Sequence, residues 1–214
     1  MQPLSESQRK SLDTAAKTYR EQMTPECLHY LKGRGLSESV ERFGLGLVAS
    51  PLSGHEYLQG RLVIPYIGPR GNVYNLRFRC LAHADCKAEG CDSKYLSLPG
   101  YPSRVFNVRS LVEAGDSIHV TEGELDSVTL EACGLYAVGI PGVDNMPTHF
   151  SRMLAGFSRI TLWADSDKAG RALTNRFTKA VPSARTVLLP DGEDVNSIFA
   201  TLGKEGLLNF LEEK

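Results

Sequence analysis

From Asp116 onward, short apolar runs alternate with stretches of helical periodicity. The runs are SIHVT (117–121), LYAVGI (135–140), RITLWA (159–164) and ARTVLL (184–189), and helical patterns begin near Glu124, Thr148, Lys168 and Asp194. A repeated strand-then-helix order predicts a mostly parallel sheet covered by helices on both faces. The first 115 residues pattern differently. Residues 23–48, MTPECLHYLKGRGLSESVERFGLGLV, read as two helices separated by GRGLS, with Ser37 as the N-cap of the second. Residues 61–81, RLVIPYIGPRGNVYNLRFRCL, read as two strands joined by a GPRGN turn, which is a hairpin pattern. The predicted organisation is a helical and β-hairpin subdomain over 1–115, an α/β domain over 116–202, and a helical tail over 203–214. The fold class is α/β, with an α+β region leading into the parallel sheet.

Charge sharpens this division. Residues 1–115 hold 15 Lys and Arg against 11 Asp and Glu, and residues 116–214 hold 9 against 14, so a front part of net +4 precedes a back part of net −5. A basic part joined to an acidic one is expected where nucleic-acid phosphates lie on the first and metal ions on the second; solvated surface charge is the alternative. No apolar stretch approaches the roughly 18 residues of a membrane span, and the N-terminus MQPLSESQRK lacks a signal-peptide core, so a cytoplasmic protein is expected. Five cysteines, an odd number, fit reduced thiols or a metal site better than a disulfide framework.

The candidate chemistry sits where the predicted strands end. Glu122 follows the first run, Asp165 and Asp167 follow the third, and Asp191, Glu193 and Asp194 follow the fourth. In open α/β sheets ligands bind beyond the carboxyl ends of the strands, so these acids are expected to converge on one rim. Crowded carboxylates repel, by about 4 kcal/mol for a pair at 4 Å with an effective dielectric near 20, and divalent cations remove that penalty. A donor set of hard oxygens without His or Cys points to Mg²⁺ or Mn²⁺. The alternative is that Asp165, Ser166 or Asp167 caps the helix beginning near Lys168. That accounts for one acid but not for Glu122, which stands in the same strand-then-turn setting within EGELD. In the front part, RFR (77–79) places two arginines on one strand face, either as solvated surface or as a phosphate-binding face.

Taken in order, Glu122-Gly123 with Asp126 and then Asp165-Ser166-Asp167, each after a strand and before a helix, resemble the TOPRIM domain of topoisomerases and primases. More closely, the chain is similar to the RNA-polymerase core of bacterial and phage DnaG-type primases from about Thr24 to Phe199. YLKGRGLS, RLVIPYIGPRGNV, LRFRCL, SKYLSLPG, ADSDKAGR and LPDGEDVNSIF resemble six family segments in the same order. The resemblance implies an N-terminal α+β basic subdomain followed by a TOPRIM domain, a Rossmann-like and mostly parallel sheet. It implies that Glu122, Asp165 and Asp167 are catalytic and hold the metals, with Asp194 contributing and Asp126 at the edge of the site. It further implies that Arg34, Arg79 and Lys94, and less directly Arg61, contact template DNA or the incoming nucleotide. Two departures stand out: Asn196 lies where the last acidic motif usually has a second acid, and Ser97 where the family tends to have Asn.

The function this implies is a DNA-directed RNA polymerase making short primers on single-stranded DNA from NTPs, with Mg²⁺ or Mn²⁺. The rival readings are a TOPRIM nuclease, which would use the same metals with water as nucleophile, and a non-catalytic recombination-mediator-like DNA-binding module. Cys80, His83, Cys86 and Cys91 offer four zinc ligands in a spacing unlike common zinc ribbons, and a polar insertion with incidental thiols is the alternative. Family primases carry a zinc-binding module before the core and a helicase-docking module after it. The expected partners are therefore a replicative helicase or a separate zinc-module protein.

Overall fold

The structure, a computed structural model, describes residues 3–82, 93–140, 149–166 and 168–212. Its contacts divide into two compact units, one of Met1–Lys32 with Ser37–Pro102, the other of Gly33–Leu36 with Ser103–Lys214.

The first unit is a four-stranded antiparallel sheet with helices. Its elements are α1 (Glu6–Arg20), α2 (Pro25–Gly33), α3 (Ser39–Phe43), β1 (Gly46–Leu47), β2 (Leu62–Ile67), β3 (Val73–Arg79) and β4 (Tyr95–Ser97), with strand order β1-β2-β3-β4. The predicted hairpin forms: β2 and β3 pair from Leu62↔Arg79 to Ile67↔Val73. Its turn is closed by Gly68 N–H donating to Asn72 O at 2.9 Å, with Gly71 at φ 79°, a conformation that glycine adopts without steric cost. α1, like β1 and β4, is an element that the hydrophobic pattern does not announce. Its signal is a capping box, in which Ser5 accepts from Gln8 N–H while the Gln8 side chain accepts from Ser5 N–H. Leu12, Ala15, Ala16 and Tyr19 of α1 are buried with Val63, Leu76 and Phe78 of the sheet. Ser37 does not cap α3: the N-cap is Glu38, in helical conformation and without a side-chain capping bond.

The second unit is the predicted parallel sheet. After α4 (Ser110–Glu113) come β5 (Ser117–Thr121), α5 (Glu124–Ala132), β6 (Ala137–Gly139), α6 (Phe150–Leu154), β7 (Arg159–Ala164), α7 (Lys168–Ala180), β8 (Arg185–Leu188) and α8 (Val195–Asn209). The strand order is β6-β5-β7-β8, and all three pairings are parallel. Alternation along the strands supplies two cores. Ile118, Val120, Ile160 and Leu162 pack with Phe150 and Leu154 of α6 and Leu173 and Phe177 of α7. Trp163 and Val187 point the other way, into Leu130 of α5 and Val195, Ile198 and Leu207 of α8. Both faces are thus covered by helices, which leaves the strand ends as the place where polar groups can gather. No helix among the described residues is long and apolar enough to cross a membrane.

Candidate metal and nucleotide site

β5, β7 and β8 are neighbours running in the same direction, so the residues that follow them share one rim of the sheet. Glu122 follows β5 and Asp165 follows β7, and both are half-buried. Gly170, in the first turn of α7, packs against both residues. An ideal Cβ built there would overlap the Asp165 carbonyl oxygen and lie 2.9 Å from Glu122 Oε1. Only a residue without a side chain lets α7 lie this close to both acids. The Glu122-Gly123 turn is held from below, with Thr121 Oγ1 donating to Gly123 O at 2.9 Å and lying 2.7 Å from Ser127 Oγ.

The third loop joins the same rim. Ser166 Oγ donates to Pro190 O at 3.2 Å, tying the turn after β7 to the loop after β8. That loop turns at Gly192, φ 82°, with Glu193 N–H donating to Pro190 O at 3.1 Å. Asp165, Ser166, Gly192, Glu193 and Asp194 line a cleft of about 150 Å³. Asp194 also caps α8, its Oδ1 accepting from Ser197 N–H at 2.7 Å while Ser197 Oγ accepts from Asp194 N–H at 2.9 Å.

Asp167 lies outside the described residues. Among those described, no three His, Cys, Asp or Glu side chains gather as a preformed metal cage. The oxygen-only pair Glu122 and Asp165 still suits a hard cation of the Mg²⁺ type, which keeps several waters and is usually held by one or two carboxylates together with substrate phosphates. Of the four cysteine and histidine positions considered for zinc, Cys80 is buried, with its N–H donating to Lys94 O at 2.8 Å, and His83, Cys86 and Cys91 lie outside the described residues.

Arg34 reaches this unit from far upstream. Its segment, 33–36, packs on α8: Gly35 at φ 69° lies so close to Phe199 that a Cβ would collide with the ring. Arg34 Nη1 donates to Asn196 Oδ1 at 2.5 Å, and Asn196 Nδ2 donates to Arg34 O at 3.0 Å and to Thr129 Oγ1 at 2.9 Å. Asn196 N–H donates to Asp126 Oδ1 at 3.2 Å. Asn196 is 1 % exposed, and its amide has partners on both its oxygen and its nitrogen. The residue that departs from the acidic motif is therefore a clamp linking Arg34, Thr129 and Asp126.

The remaining basic candidates belong to the first unit. Arg79 is buried, donating through Nε to Tyr30 Oη at 3.0 Å and through Nη1 to Tyr95 Oη. The guanidinium carbons of Arg77 and Arg79 both lie 5.3 Å from the Tyr95 ring centroid, so the face that RFR predicts is built around a tyrosine. Arg61, also buried, donates to Ser93 O at 2.9 Å, and Lys94, beside it in sequence, is exposed.

A family described as Toprim-like matches residues 119–199. The gene 57 protein of Mycobacterium phage D29 is 34 % identical over 154 residues, covering 70 % of this chain and 97 % of that protein. The DNA primase of Pseudomonas putida is 28 % identical over 251 residues; the alignment covers 92 % of this chain but only 37 % of that primase. A solved DnaG primase catalytic domain bound to single-stranded DNA superposes with a TM-score of 0.74 at 23 % identity, covering 95 % of this chain and 80 % of that one, so the fold is shared.

Proposed function

We propose that this chain, which belongs to one family with the gene 57 protein of Mycobacterium phage D29 and carries a Toprim-like domain, is a DnaG-type primase catalytic core, adding ribonucleotides to a primer on single-stranded DNA. The observation that carries this reading is the position of Glu122 and Asp165 directly after the neighbouring parallel strands β5 and β7, with Gly170 of α7 packed against the Glu122 carboxylate and the Asp165 backbone. In the proposed mechanism Glu122 and Asp165, together with Asp167 of the same sequence motif, would hold Mg²⁺ or Mn²⁺. Such an ion, when bound, acidifies the primer 3′-hydroxyl and offsets the charge that builds on departing pyrophosphate. Asp194, which lines the same cleft, contributes its carboxylate there and is fixed by its cap on α8.

Arg34 supplies a planar cation for the triphosphate of the incoming NTP, its backbone and guanidinium both fixed by Asn196. Lys94 and Arg77, the latter over the Tyr95 ring that the buried Arg79 helps to hold, take the template backbone, where phosphate contacts set position and base pairing sets sequence. The solved DnaG domain with single-stranded DNA supports that choice of template. Product analysis tests the proposal: the chain is given single-stranded DNA carrying a short annealed RNA primer, NTPs and Mn²⁺ or Mg²⁺. Elongated RNA is the expected product. Shortened DNA would instead mark a nuclease, and binding without either product would mark a non-catalytic DNA-binding module.

A further inference from the structure

α7 carries a charge pattern that its packing does not require. Its 13 residues, KAGRALTNRFTKA, include Lys168, Arg171, Arg176 and Lys179 and no acid. These are four of the nine basic residues in a stretch, 116–214, that is net negative. At 100° per residue the four fall within an arc of about 140°, opposite Leu173 and Phe177, and all four are exposed while those two are fully buried. An exposed helix face ordinarily mixes both signs through i,i+4 pairs, whereas here Lys168/Arg171 and Arg176/Lys179 are like charges at i,i+3 spacing, which repel. Lys168 and Arg171 also stand in the first turn, at the positive end of the helix dipole, where a cation is disfavoured. Arg171 also donates through Nη1 to Ser166 O, and Lys179 suits the last turn, but neither removes the two like-charge repulsions. A polyanion lying along the face would relieve both repulsions.

The ridge begins at Lys168, the first residue of α7 and three positions after Asp165, and runs for about 16 Å, from eleven steps of 1.5 Å between Lys168 and Lys179. Its charges are unevenly spaced along the axis, with gaps of about 4.5, 7.5 and 4.5 Å. The long Lys and Arg side chains can follow a flexible backbone along such spacing, and the strand that the proposed reaction places at this rim is unpaired template. We propose that the exposed face of α7 is a binding track for single-stranded DNA, in which Lys168, Arg171, Arg176 and Lys179 hold phosphates of the strand that runs from the acidic rim. The proposal rests on the reading of the rim as a primase site.

The test uses the full chain carrying Arg176→Gln and Lys179→Gln, two positions at the far end of the helix and away from the acids. Binding of a labelled single-stranded oligothymidylate is followed by fluorescence anisotropy across a salt series, with thermal unfolding as a check that the fold is kept. The expected result is a slope of log K against log[salt] lower by about 1.4 and an affinity lower by about 25-fold at 0.1 M salt, from roughly 0.7 per phosphate contact on a single strand. Lys10→Gln with Lys17→Gln, which removes equal charge from the exposed face of α1, should leave the slope in place. An unchanged slope in the α7 variant, an equal drop in the α1 variant, or an effect confined to duplex or to acidic protein would overturn the track. The two readings separate because the slope needs no catalysis. Normal primer extension with an unchanged slope removes the track alone, and a wild-type chain that extends no primer removes the primase reading whatever the slope.

Discussion

Replacing Asn196 should unfasten the Arg34 segment from the Toprim-like unit, and the structure sets the size of the effect. Asn196→Ala deletes three side-chain hydrogen bonds, two to Arg34 and one to Thr129. Each is worth about 1 kcal/mol, with more for the charged donor and less where Arg34 is partly solvated. Thr129 keeps its 2.8 Å bond to Leu125 O, and the backbone bond from residue 196 to Asp126 is retained. The net loss is about 2–3 kcal/mol, or roughly 4–12 °C in Tm for a chain of this size. Asn196→Asp is the sharper variant, because it restores the acid of the family motif at nearly unchanged volume. Its carboxylate keeps the Arg34 guanidinium but turns an acceptor toward Arg34 O, where the amide donated at 3.0 Å. It should therefore destabilise by about 1 kcal/mol or more despite the added charge pairing. Urea unfolding read by fluorescence is well suited, since the single tryptophan, Trp163, is buried in the same core cluster as Val195 and Ile198 of α8. Asn196→Ala losing less than about 0.5 kcal/mol, or Asn196→Asp more stable than wild type, would refute the clamp.

Gly170→Ala should reverse the usual sign of a helical Gly→Ala change: instead of gaining about 1 kcal/mol, α7 is pushed off Asp165 and Glu122, lowering Tm and primer extension together, and a stabilised, active variant would contradict that packing. His119 predicts a pH dependence. It is buried and accepts from Trp163 Nε1 at 3.0 Å, and burial pushes its pKa down from 6.5 to about 4. Between those values the unfolded chain binds more protons than the folded one, so stability is full above pH 6.5 and falls as pH drops toward 4, by about 3 kcal/mol at the limit. His119→Gln should flatten that dependence in Trp163-monitored unfolding, and a slope identical to wild type would assign it to other groups.

The parallel sheet was legible because its strands are short apolar runs bounded by polar residues. SIHVT and RITLWA coincide with β5 and β7 to the residue, and the position of the acids after them follows from the strand ends alone. What was not legible depends on distant partners. The clamp joins Arg34 to Asn196 across 162 positions, and in sequence Asn196 reads only as a missing acid. Arg79 reads as a basic residue presented on a strand, yet it is buried because Tyr30 and Tyr95 supply hydroxyl acceptors and Tyr95 a ring face, from α2 and β4. Ser37 has the chemistry of a cap, but the chain turns one residue later, at Glu38. Gly170 sits in an ADSDKAGR stretch where a small residue looks incidental; only the closeness of α7 to two strand ends gives it meaning.

The central claim, nucleotidyl transfer at the rim formed by Glu122 and Asp165, is tested most directly by primer extension with matched variants. Wild type, Glu122→Gln and Asp165→Asn are each given the same RNA-primed single-stranded template, labelled NTPs and Mn²⁺ or Mg²⁺, with binding of the template measured in parallel. The variants remove carboxylate charge without touching a basic residue, so the account predicts alkali-labile extension products from wild type, none from either variant, and template affinity unchanged within about twofold. Extension by Asp165→Asn at the wild-type rate would contradict the account.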